Sequence, residues 1–343
     1  PEASRQPMRW NPENVKALTE LQSQYPAAFH GASTNQTQRA PTATNFLSQP
    51  IRTRCLFPAQ NQLTFSAPLI LLAYAAASTS TIRLGTSVTL LANHDPVRVA
   101  EELALLDVLT DGRAEATFAR GVSLETAQAF GFSDFDQVRP RFEEHLRLVL
   151  RLLSEDEVTW SGEHRGPLSQ IRLQPRPIQP PTDAIWVGGG LSQISADLAA
   201  ELGLPLLLPS LFRWPVDYLD IVQRYRDRSA AASNTARVGF PTYLHVARTS
   251  QEARARFMPR FEHYVSFAKS TRIGFGRSLD FESLLKGPVV CGSPAEVAER
   301  IAEINDILDL DRQMFLIDAG GVPNDVVADV IDLMGSSVLP LVR

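Results

Sequence analysis

From residue 66 onward, short apolar runs alternate strictly with amphipathic stretches, and this alternation constrains the fold more than any other feature. The run 82–91 (IRLGTSVTLL) is rich in β-branched residues and apolar on both faces, as a parallel strand buried between helices must be. The next stretch, 96–109, carries Val97, Ala100, Leu103, Ala104 and Leu106 at helical spacing and closes on the turn pair Asp111–Gly112. The same rhythm predicts further strands at 114–119, 184–187, 204–208, 242–247 and 313–317. It predicts helices at 66–78 (with Ser66 as N-cap), 137–153, 192–202, 216–231, 251–268, 294–307 and 324–334. Parallel neighbours need a crossover between them, so strand–helix repetition builds a parallel sheet, open or closed. At 343 residues the chain is long enough for one (β/α)8 TIM barrel, the α/β architecture expected here.

Two stretches break the rhythm. Residues 155–181 contain Pro167, Pro175, Pro177, Pro180 and Pro181 and read as an insertion within one barrel. Residues 1–62 are rich in Gln, Asn, Thr, Ser, Ala and Pro and show no buried-strand pattern. The chain therefore divides into an atypical N-terminal segment, 1–62, and a barrel domain, 63–343.

Composition removes several functions. A formal charge of −5 lacks the basic footprint of a nucleic-acid or anionic-membrane binder. The longest apolar run, 67–77, is shorter than the roughly 20 residues a membrane helix needs, so no membrane association is expected. The first residues, PEASRQPMRW, lack the charged start and apolar core of a signal peptide, and a cytoplasmic protein is expected. Cys55 and Cys291 are expected as separate reduced thiols. His30, His94, His145, His164, His245 and His263 show no zinc spacing, so no metal site is expected.

The clearest chemical signal is IWVGGG followed by LSQISADLAAELG. A strand ends in Gly188, Gly189 and Gly190, and a helix then starts with Ser192 and Ser195 near its first turn. A glycine turn beside a helix N-terminus gathers backbone N–H groups around an anion, and the two hydroxyls add donors. The dinucleotide pattern G-x-G-x-x-G fails, because Gln193 stands at the third glycine. An ordinary tight turn with Ser192 as N-cap satisfies the same residues. Arg120, in Phe118-Ala119-Arg120-Gly121, follows a strand and so falls at the barrel mouth, where ligands bind. A guanidinium there serves either phosphate recognition or a surface ion pair. His94, just past the 82–91 strand, is the nearby candidate acid or base.

Taken in order, IRLGTSVTLLANHDPVRVAEELALLDVLTDGRAEATFARG, IWVGGGLSQISADLAAELGLPL and CGSPAEVAERI resemble the bacterial luciferase-like, flavin-dependent monooxygenases. The resemblance runs from Ser66 to Arg343. It implies a barrel that uses reduced FMN as co-substrate, delivered by a separate flavin reductase, to oxygenate a small organic substrate. It implies a cis peptide at Ser87–Val88 beneath the flavin ring, phosphate contacts from Arg120, Ser192 and Ser195, and a homodimer formed through helices 66–78 and 96–109. The acidic phosphate neighbour of luciferase itself falls on Leu191. The Glu-His-His-Phe run common in the family has no counterpart either: residues 55–62 read CLFPAQNQ. Two alternatives stand beside the monooxygenase: a hydride-transfer oxidoreductase using a deazaflavin, and a non-catalytic flavin-binding barrel.

Overall fold

The computed structural model describes residues 68–121, 124–189, 192–209, 213–270 and 280–342. The N-terminal segment 1–62, the Ser66 cap, Cys55, Gly190 and Leu191 lie outside the described residues.

In chain order the elements are α1 (Pro68–Ala76), β1 (Leu84–Leu90), α2 (Pro96–Leu109), β2 (Ala114–Ala119), α3 (Leu124–Ala129), α4 (Val138–Ser154), β3 (Val158–Trp160) and β4 (Leu168–Ile171). They continue with α5 (Pro181–Ala184), β5 (Ile185–Gly188), α6 (Gln193–Glu201), β6 (Leu206–Leu207), α7 (Leu219–Ala231), β7 (Val238–Val246) and α8 (Ser250–Ser270). The last are α9 (Phe281–Leu285), β8 (Val289–Gly292), α10 (Pro294–Leu308), β9 (Arg312–Leu316) and α11 (Asn324–Leu333). Local chemistry fixes the helix starts. Asp95 accepts hydrogen bonds from the Val97 and Arg98 amides ahead of Pro96, and Ser293 forms a capping box with Glu296.

Seven strands form one parallel sheet in the order β1-β2-β5-β6-β7-β8, with β9 also on β7. Gly239 pairs with both Leu207 and Arg312, and Tyr243 with both Val289 and Leu316. Strand β9 therefore runs along one edge of β7, while β6 and β8 share the other edge in succession. The sheet is curled. Along a flat sheet β2 and β9 would stand four strands apart, about 19 Å, yet Arg312 Nη1 of β9 meets Glu115 Oε2 of β2 at 2.5 Å. The same guanidinium sits 4.6 Å over the Trp186 ring of β5. Such chords exist only across the inside of a barrel-like curve, as the alternation of strand and helix predicts.

Strand alternation and register define the inner face. Glu115, Thr117 and Ala119 of β2 line up with Trp186 and Gly188 of β5, and Leu207 and Gly239 continue the row toward Arg312. The outer face packs into one apolar core with the helices, including Leu84, Phe118, Leu146, Val187 and Phe240, each at most 1% exposed.

The insertion 155–181 is not irregular throughout. It folds as the antiparallel hairpin β3–β4, whose connecting loop is held by Glu144 of α4 accepting from the amides of Glu163, His164 and Arg165. Those bonds hold the Glu144 carboxyl below its ordinary value against the opposing effect of burial. The far end of the insertion is pinned by Asp107, which is buried and accepts from the Ile178 and Gln179 amides and from Gln179 Nε2. On the outside, Ile70 and Leu109 are 73% and 64% exposed, and with Ala73, Leu105 and Val108 they leave α1 and α2 with an apolar outer surface.

Candidate active site

Strands in this architecture present their C-terminal ends to one mouth, and His94, Arg120 and Gly189 follow such ends, with Ser192 and Ser195 at the start of the helix after β5. In the middle of β1 the Ser87–Val88 peptide is cis. The register of β1 on β2 shifts between Ser87 and Thr89, so Val88 is a bulge. Its side chain leans over β5: a Cβ on Gly188 would stand 3.3 Å from Val88 Cγ1 and 3.0 Å from Ala119 Cβ. The uppermost inner layer is therefore made of small groups, Ala119 and Gly188, with Val88 folded over them.

Beyond β5 the Gly189 amide donates to Leu207 O at 2.9 Å. Its N–H is consumed by the sheet, and what the glycine contributes is room: a Cβ there would lie 2.3 Å from Ser195 Cβ. Ser192 is the N-cap of α6 and has extended backbone angles, yet its hydroxyl caps none of the first-turn amides. It takes a hydrogen bond from Arg139 Nη2 at 3.4 Å instead. The tight-turn alternative is therefore only half met, since the residue stands at the cap position without the capping bond.

Arg120 follows β2, half-buried, with its guanidinium 4.5 Å over the Phe135 ring. Burial pushes it below its ordinary value, the neighbouring Arg139 pushes it further, and Asp136 opposes. Arg120 thus feels the charge of Arg139, and Arg139 reaches Ser192 at an uncapped helix start. Like charges drawn together at a partly desolvated position suit a dianion, which neutralises both and takes the free first-turn amides.

Arg139 was not among the residues singled out from sequence. A signal for it exists, because a cation in the first turn of α4 opposes the helix dipole, and its partner Glu143 is distant at 3.9 Å. His94 lies beyond β1, half-buried, with its ring 6.1 Å from that of Phe130. Burial pushes it below its ordinary value against the pull of Glu102. His145 is fully buried, its Nδ1 3.4 Å from Leu91 O, and serves packing. Among the described residues no group of three or more His, Cys, Asp or Glu is arranged to hold a metal, and no helix is long and apolar enough to cross a membrane.

A curled parallel sheet with an anion-suited mouth beside a bulged strand defines the class, an α/β barrel-type enzyme scaffold. The chain belongs to the luciferase-like monooxygenase family, whose model matches residues 53–309. Among solved structures it is similar to monooxygenase RslO1 from Streptomyces bottropensis, at 28% identity and a TM-score of 0.72 over 80% of this chain and 83% of that one. The oxygenating constituent of 3,6-diketocamphane monooxygenase from Pseudomonas putida, solved with FMN, shares the fold at 20% identity and a TM-score of 0.63 over 80% and 83%. The F420-dependent glucose-6-phosphate dehydrogenase of Kineococcus radiotolerans is 36% identical over 123 residues, 35% of this chain and 36% of its own. FMN and F420 both occur among these relatives.

Proposed function

We propose that the protein is a monooxygenase that uses reduced FMN and dioxygen to oxygenate a small organic substrate. The observation that carries this is the Arg139 guanidinium on the Ser192 hydroxyl at the uncapped start of α6, with Arg120 near enough to Arg139 to feel its charge. The residues present fit a phosphate monoester: two cations balance its two charges, the hydroxyls of Ser192 and Ser195 and the uncapped first-turn amides of α6 supply donors, and Gly189 allows close approach. Reduced FMN bound there supplies the electrons with which dioxygen is activated.

The chain's own part is binding, orientation and exclusion of water. Ser87 and Val88 support the ring from β1 above the small groups Ala119 and Gly188. His94, neutral at physiological pH because burial disfavours its charge, is the group that accepts a proton near the mouth. A separate flavin reductase supplies the reduced cofactor, and α1 and α2 pair two copies of the chain through Ile70, Ala73, Leu105 and Leu109.

A second reading, hydride transfer with a deazaflavin, is favoured by the 36% identical stretch of the F420-dependent relative. The two separate in one experiment. Protein mixed anaerobically with reduced FMN and then with oxygen should bind the flavin and change its reoxidation rate relative to free flavin. Binding without that change supports a non-catalytic barrel. Binding of F420 and not of FMN overturns the monooxygenase.

A further inference from the structure

The segment that carries His94 is gripped on both sides of that residue by one short piece of α4. Before His94, the turn Leu91–Asn93 is buried at Leu91 and Ala92, and Leu91 O accepts from the His94 amide at 3.1 Å. The same oxygen lies 3.4 Å from Nδ1 of His145 on α4, whose ring packs under the turn. After His94, Asp95 caps α2 through Oδ1, 2.9 Å from the Val97 amide, and keeps Oδ2 3.4 Å from Nε of Arg165 in the loop of hairpin β3–β4. Arg165 is itself anchored. Its amide donates to Glu144 Oε1 at 2.9 Å, with the Glu163 and His164 amides on the other carboxylate oxygen, and its Nη1 donates to Gly166 O at 2.9 Å. Glu144 and His145 are neighbours on α4, so residues 91–95 are held directly by one and, through the hairpin loop, by the other. An exposed ion pair contributes little, but the Arg165 side chain is 24% exposed and its backbone is already fixed, so less ordering entropy opposes the contact.

We propose that Arg165, in the loop of the hairpin insertion, is a positioning residue for His94: anchored by Glu144, it fixes Asp95 and with it the segment that sets the imidazole beyond β1. The insertion then acts on the site through Asp95 rather than by adding a group to it. This rests on the reading of His94 as the proton acceptor, and the test separates the two. Burial holds His94 below its ordinary value, and the charge that opposes this is Glu102 on α2, itself paired with Arg98. Loosening residues 91–95 admits water to the ring and so raises its titration.

Wild type, Arg165→Ala, Arg165→Lys and Glu144→Gln, labelled in histidine, are titrated by NMR, with the His94 signal assigned by its loss in His94→Gln. Arg165→Ala should move the His94 midpoint up toward its ordinary value, with Arg165→Lys between it and wild type and the exposed His263 of α8 unmoved. Where the alanine variant does not fold, Arg165→Gln replaces it. Glu144→Gln should also move the midpoint up, because the loop amides lose their charged acceptor. Charge alone predicts the opposite sign, since removing a carboxylate lowers a nearby imidazole. A downward shift in Glu144→Gln therefore overturns the proposal. So does an unmoved midpoint in the folded Arg165 variant, or one that moves together with His263. Reoxidation of bound reduced FMN in His94→Gln tests the other reading: a rate equal to wild type removes the proton role and leaves the positioning result standing.

Discussion

Replacing His245 with leucine should flatten the acid side of the stability curve. His245 is 0% exposed on β7, stacked 5.1 Å from the Phe257 ring of α8 at 2° between planes, and neither ring nitrogen has a hydrogen-bond partner. Burial, followed by the charges of Arg256 and Arg260 on α8, pushes it from 6.5 down to about 4. Its register neighbour on β8, Cys291, brings no compensating charge, since burial pushes that thiol up to about 12. The folded protein thus keeps the imidazole neutral over a range in which the unfolded chain already protonates it. The unfolded chain binds more protons throughout that window, so stability is full above pH 6.5 and falls as pH falls toward 4. At 1.36 kcal/mol per unit the loss from this residue approaches about 3 kcal/mol. At neutral pH the leucine variant should stay within about 1 kcal/mol of wild type, because it removes two unsatisfied polar atoms along with the ring. Urea unfolding of both proteins above pH 6.5 and near pH 4 measures the double difference. Parallel losses in the two proteins would refute the reasoning.

Three further outcomes follow from named contacts. Gly189→Ala places a Cβ against Ser195 and should cost about 1–3 kcal/mol in denaturant unfolding, while weakening FMN more than riboflavin in direct titration. Asp107→Ala strands the two amides and the side-chain amide that Asp107 accepts from, and should cost about 3 kcal/mol or more by the same assay. Leu109→Glu or Ala73→Glu puts a charge on the apolar face of α1 and α2 and should give a soluble monomer by light scattering. A wild type already monomeric at micromolar concentration would end the dimer assignment.

The barrel elements were legible in the sequence where a single face decides them. Helix 96–109 and strand 114–119 are as expected, and most other elements agree to within two residues. The misses share physical causes. Strand β7 begins at Val238 rather than 242 because Gly239 and Pro241 read as breaks in an isolated chain; tertiary packing against Leu207 and Trp186 makes that glycine necessary. Strand β8 is four residues long, and hairpin β3–β4 is mostly exposed along β4, so neither has an apolar period to detect. At the mouth, Arg120, Ser192 and Ser195 were visible because each follows a strand end or opens a helix. Arg139 was not, since its partner Ser192 is 53 residues away in sequence.

The central claim is that the mouth binds the phosphate of FMN through Arg120 and Arg139. Equilibrium titration of wild type and Arg120→Ala with FMN and with riboflavin tests it most directly. Losing one charge-assisted bond is worth about 1.5–3 kcal/mol, so Arg120→Ala should weaken FMN by about one to two orders of magnitude and leave riboflavin, which has no phosphate, nearly unchanged. Equal losses for both ligands would contradict the account and show Arg120 acting through its packing on Phe135.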